Sequence, residues 1–259
     1  MAYRVAAIAV LCGLAVGSAQ AAPAAEDERR YETVWNIQPD PAQLGERRVA
    51  IGEPVLEQRL LPIGLAIAEE DIQSASGDVL AEKGTQLFQL DVNRGKAYCV
   101  ATVPRPSAFR SLMLGGGNLQ RCFVDGDGDG RFDGQFNGGN PMRGVPFIEG
   151  KLPKTPKPAS GRYSTLPPEQ FALQYTVRIA LTEAKVTASG KTAFSYRIDF
   201  GDAQTRQKLT DSIGGALGAT DILDARWDAQ AVDGKGARLA VTQVMPAQPF
   251  QVELTRRYR

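Results

Sequence analysis

The chain has 259 residues, is 43% hydrophobic, and carries 30 Lys and Arg against 29 Asp and Glu with no histidine. The missing histidine excludes a Ser-His-Asp triad, a Cys-His pair and HExxH zinc chemistry. The balance of charge leaves no global field to draw in nucleic acid or an anionic membrane, so neither is expected as a partner.

Residues 1–21, MAYRVAAIAVLCGLAVGSAQA, show a short basic start at Arg4, an apolar run from Val5 to Val16, and Ala19-Gln20-Ala21 as a small-residue cleavage box. This is the pattern of a secretory signal peptide. The run falls short of the roughly 20 apolar residues of a spanning helix, and no later window reaches that length. The expectation is a mature chain without a transmembrane segment, in the periplasm or outside the cell. Cleavage removes Arg4 as the only charged residue, leaving 29 cations against 29 anions. It also removes Cys12, so that Cys99 and Cys122 remain, and in an oxidising compartment the pair predicts a disulfide. Such a bridge closes a loop worth roughly 3 kcal/mol in the chain-entropy account; the alternative is two buried thiols.

Residues 22–45 are rich in Ala, Pro and charge, with Tyr31, Val34 and Trp35 as anchors, and read as an N-terminal lead-in. From Arg47 onward, apolar runs (VAI, LLPIGLAIA, QLFQL, AYCVATV, RCFV) alternate with turn signals such as Gly52-Glu53-Pro54 and Ser76-Gly77-Asp78, the spacing of an all-β domain. Glu69, Glu70 and Asp71 form an acidic cluster after one such run, read as a strand-ending turn. Leu114 to Asn118, LGGGN, lacks the Lys-Ser/Thr of a phosphate cradle and reads as a loop.

The stretch CFVDGDGDGRFDGQF, residues 122–136, holds Asp125, Asp127, Asp129 and Asp133 with glycine between the first three. With Asp125 at position 1 of an EF-hand-type loop, Asp127, Asp129 and Asp133 fall at positions 3, 5 and 9, Gly130 at the sharp turn, and the Arg131 carbonyl at position 7. Residues 125–136 resemble the DxDxDG calcium loops of EF-hands, dockerins and thrombospondin-type repeats. The resemblance implies one calcium ion held by Asp125, Asp127, Asp129, Asp133 and the Arg131 carbonyl. Position 12 is Phe136 where a bidentate Glu would sit, and the apolar RCFV before the loop reads as strand, so a loop leaving a β-strand is expected. Hard oxygen ligands without imidazole favour calcium over zinc or copper. The competing reading is a solvated Asp-Gly turn.

Residues 151–160, KLPKTPKPAS, suit an extended connector. They divide a β domain at 46–150, carrying the calcium loop, from a second at 161–259; one sandwich with a long insertion is the alternative. Alternation from Phe171 to Leu181, from Phe194 to Phe200 and from Phe250 to Leu254 predicts three half-buried strands. Between Ala203 and Leu223, the rough 3.6-residue spacing of Leu209, Ile213, Leu217 and Ile222 predicts one short helix, weakened by Gly214, Gly215 and Gly218. Arg256, Arg257 and Arg259 read as a solvated terminal face.

The expected fold is therefore mainly β: antiparallel sandwich or barrel-like domains with one short helix. The expected function is an exported, calcium-stabilised β protein of the cell envelope, acting as a binding or structural module with an envelope component or polysaccharide as partner. The rival is a carboxylate-based glycoside hydrolase, which needs only two suitably separated Asp or Glu, with Trp35 and Trp227 available to stack on sugars.

Overall fold

The computed structural model describes residues 29–101, 120–138, 148–189, 192–201, 207–208, 213–216, 218–222, 224–247 and 249–250. The N-terminal segment 1–21 expected to be a signal peptide, the LGGGN stretch, most of the strand expected from Phe250 to Leu254 and the three terminal arginines lie outside these residues. The chain opens with β1 (Arg30–Glu32), β2 (Trp35–Gln38), β3 (Gly45–Ala50), β4 (Pro54–Pro62), β5 (Leu65–Ala68), β6 (Ile72–Ser74) and β7 (Val79–Ala81). Next come β8 (Gln86–Val92), β9 (Lys96–Val100), β10 (Arg121–Asp125), β11 (Gly134–Asn137), β12 (Glu149–Lys151), β13 (Lys157–Ser160) and β14 (Tyr163–Leu166). The remainder comprises β15 (Thr176–Val186), β16 (Thr192–Gly201), β17 (Gln207–Lys208), β18 (Ile213–Ala216), β19 (Gly218–Ile222), β20 (Ala225–Val232), β21 (Gly236–Gln243) and β22 (Pro249–Phe250).

These strands form three antiparallel sheets without a closed barrel, the mainly β fold that the alternating apolar runs predict. The largest follows the order β12-β1-β8-β9-β10-β11-β13-β6-β7, with β5 also on β8 and β14 on β5. The second runs β17-β16-β15-β4-β2-β22, with β18 also on β16, and the third runs β19-β20-β21-β3. Residues 151–160 contribute Lys151 to β12 and all of β13, which pairs with both β11 and β6. Strands from either side of that stretch share sheets, β4 with β15 and β3 with β21.

The predicted helix is a correction. Within residues 203–223 the described segments are β17, β18 and β19, and the only helical pieces among the described residues are two 3-10 turns, Pro41–Gln43 and Pro168–Gln170. Each interior glycine costs a helix about 1 kcal/mol relative to Ala, and Gly214 and Gly215 instead sit opposite Ser195 and Phe194 in the β18–β16 ladder. A smaller difference concerns the strand expected from Phe171: β15 starts at Thr176, and Phe171 and Tyr175 reach the core from the segment before it.

One apolar core draws on all three sheets. Trp35 stands at its centre, fully buried, with the rings of Phe88, Phe171 and Tyr175 between 5.4 and 5.8 Å away. Trp227 from the third sheet meets Tyr196 of the second edge-on at 5.2 Å and donates its indole N–H to the Tyr196 hydroxyl. Both tryptophans are therefore core, where an aromatic ring buries a large area and its polar atom finds a partner. A smaller second core holds Tyr98, Phe123, Phe132 and Tyr163, and the acidic loop is built on it.

Candidate metal centre

The loop begins where β10 ends. Cys122, Phe123 and Val124 alternate between the two cores, and Asp125, the last residue of the strand, is carried inside with no exposed surface. A buried carboxylate is costly unless donors surround it, and the loop supplies them. Asp125 Oδ1 accepts from the Gly128 N–H at 2.6 Å, while Oδ2 accepts from the Gly130 N–H at 3.2 Å and the Tyr163 hydroxyl at 2.7 Å. Gly128 and Gly130 hold φ of +80° and +86°, the left-handed region that aims their N–H groups inward at little steric cost.

Asp133 closes the turn, its Oδ2 accepting from the Gly126 N–H at 2.7 Å while its own N–H donates to the Val124 carbonyl. Asp127 Oδ1 accepts from the Asp129 N–H, and Asp129 Oδ1 from the Arg131 N–H. Below the loop, the Phe132 ring stacks on Tyr163 with centroids 4.6 Å apart at 19°, and Tyr98 packs against Tyr163 at 4.9 Å. Tyr163 opens β14 and comes to the loop from well beyond it in the chain, its N–H donating to the Gly130 carbonyl while the Phe132 N–H donates to the Gly161 carbonyl across the Arg131–Arg162 bridge. No spacing near the Asp run signals that partner, which sequence reasoning missed.

Burial pushes the Asp125 carboxyl up, but hydrogen bonds from Tyr163, Gly128 and Gly130, with the charge of Lys96, outweigh it and hold the group below the ordinary carboxylate range. Tyr163 is driven far upward, by burial first and then by its bond to Asp125, so it remains a proton donor. Asp125 is thus kept as an anion.

The carboxylates of Asp125, Asp127 and Asp133 converge, offering one oxygen each within 4.8 Å of one another. Asp129 stands outside this group, exposed, with its Oδ1 turned to Arg131. Asp125 Oδ2 already accepts two donors, but Asp125 Oδ1, Asp127 Oδ1 and Asp133 Oδ2 each accept one N–H and keep a second lone pair for a cation. Three oxygens at such separations repel, by about 1 kcal/mol per pair at 4 Å even in water, and suit a hard metal ion. Phe136, at position 12 of the calcium-loop register, is buried in β11 and packs on Tyr31 at 5.2 Å, so it belongs to the core.

Cys99 and Cys122 form a disulfide, directly opposite each other in the β9–β10 ladder three residues before Asp125. Of the acidic cluster, Glu70 accepts from the Arg162 N–H and pairs with its guanidinium, and Asp71 accepts from the Lys83 N–H. These bonds tie the β5 end to its neighbours, as a strand-ending turn requires. Comparison with family models, curated proteins and solved structures finds no match for the chain. Among the described residues no helix is long and apolar enough to cross a membrane.

Proposed function

We propose that this chain is an exported β protein of the cell envelope whose 125–133 loop is fastened by one calcium ion, and that it serves there as a binding or structural module. The observation that carries the reading is the convergence of the Asp125, Asp127 and Asp133 carboxylates on one point, with Asp125 buried and held as an anion. The Arg131 carbonyl and water complete the shell, and Asp129 joins it by turning its carboxylate from the Arg131 N–H. An all-oxygen set with flexible glycine between ligands fits the six to eight ligands of calcium, whereas magnesium demands tighter octahedral geometry. Export is supported by the N-terminal pattern of the sequence and by the disulfide.

The ion's role is structural. It cancels repulsion in a loop already seated on a buried aromatic cluster, and ligand binding to the folded state alone stabilises it by about 2.7 kcal/mol at 100 times Kd. Terbium, a hard trivalent stand-in for calcium, tests the site, because the Tyr163 ring beside Asp125 would sensitise its emission. Tyrosine-excited terbium luminescence that calcium quenches by displacement, and that Asp127→Ala abolishes, is the expected result. Absence of sensitised emission from the wild-type protein would leave the loop a solvated turn.

A further inference from the structure

The strands around the loop form two hairpins. β8 and β9 are joined by a short turn ending at Gly95, and β10 and β11 by the acidic loop itself. The hairpins meet in the β9–β10 ladder, yet in the chain β9 and β10 are separated by residues 101–120. Register in a hairpin is set by its short turn, and no such turn joins β9 to β10.

Much depends on that register. Cys99, Cys122, Ala97 and Val124 face the large core, while Tyr98 and Phe123 face the small one. A slip of one residue would exchange the two sets. The observed register also places Lys96 opposite Asp125 and seats Gly95 against the loop, where an added Cβ would lie 3.0 Å from the Asp125 carbonyl oxygen.

We infer that the Cys99–Cys122 bridge is the pin that sets this register, so that the 125–133 loop assembles only in the oxidised chain. The chemistry is thiol–disulfide exchange with a disulfide-bearing oxidant. One cysteine thiolate attacks an oxidant sulfur, forming a mixed disulfide and releasing one oxidant thiolate. The second cysteine thiolate then displaces the other. Two cysteine protons are lost and the oxidant disulfide, taking two electrons, becomes two thiols. The chain therefore completes its loop after reaching an oxidising compartment. That only the oxidised chain then takes up calcium rests on the proposed cation reading; the ordering of the loop does not.

Hydrogen exchange of the Gly126, Gly128, Gly130 and Arg131 amides, all bound to carboxylates, tests the inference without any cation. In a Cys99→Val/Cys122→Val protein treated with chelator, these amides should exchange about two orders of magnitude faster than in the oxidised wild type, the factor matching a bridge of this span. Emission of Trp35 and Trp227 and exchange in β15 and β16 should be unchanged. If the valine pair does not fold, wild type equilibrated in glutathione buffers replaces it, and loop protection must appear with the same midpoint as the bridge. Equal protection with and without the bridge overturns the inference. So does loss of the tryptophan signals together with the loop, because the bridge then holds the whole fold rather than one register. If protection follows the bridge but terbium binds neither form, the register claim stands and the cation reading alone fails.

Discussion

Replacing Tyr163 by Phe removes one oxygen and leaves the ring that stacks on Phe132. The lost hydroxyl donates to Asp125 Oδ2 at 2.7 Å, and Asp125 has no exposed surface from which water could substitute. A hydrogen bond to a charged group contributes about 1.5–3 kcal/mol, more when its loss strands a buried anion. The expected destabilisation is about 2 kcal/mol at neutral pH, a fall in Tm of about 4–8 °C for a chain of this size. Urea denaturation of chelator-treated protein measures it as a lower midpoint with an unchanged slope. The pH dependence has a definite sign. Because the folded pKa of Asp125 is depressed, its contribution is present above the unfolded value of about 3.9 and is lost as pH falls through the lower folded value. The gap between wild type and Tyr163→Phe should therefore close in acid below about pH 4. A variant within about 0.5 kcal/mol of wild type at neutral pH, or a gap that widens in acid, would refute the role assigned to this bond.

Three other substitutions probe the frame. Gln58 lies in β4 with its side chain buried and neither amide atom partnered among the described residues, so Gln58→Leu should stabilise the protein by about 1–2 kcal/mol in the same urea assay; destabilisation would mean the amide has a partner. Trp227→Phe loses the bond to Tyr196 and part of the core volume, and should cost about 2 kcal/mol by thermal unfolding. Gly95 holds φ of +77° against the Asp125 carbonyl, so Gly95→Ala should cost about 1–2 kcal/mol, with amide exchange rising first in the 125–133 loop.

The parts of this molecule that were legible in sequence are those governed by local pattern or by counting. Alternation from Phe194 to Phe200 is β16, buried on that face because each second residue meets the core. With Cys12 set apart in the apolar N-terminal run, counting paired Cys99 with Cys122, and these two are bonded. The Asp-Gly run marked where Asp125, Asp127 and Asp133 come together, since side chains of one short loop lie close in sequence. What local pattern could not carry was long range. Tyr163 reaches Asp125 through a backbone bridge between residues 130–132 and 161–163, and neither that contact nor the sharing of sheets by β4 with β15 and β3 with β21 has a local signature. The misread helix shows the same limit from the other side. A rough 3.6-residue spacing between Leu209 and Ile222 coexisted with glycines that resist a helix, and a neighbouring strand, β16, supplied the ladder that decided the matter.

Calorimetric titration of calcium into chelator-treated, disulfide-bonded protein decides whether the loop holds an ion. A single site per chain is expected, lost in Asp127→Ala and in Asp133→Ala, with magnesium binding more weakly because it gives up its water reluctantly. No binding at millimolar calcium, or binding that survives both substitutions, would contradict the cation reading.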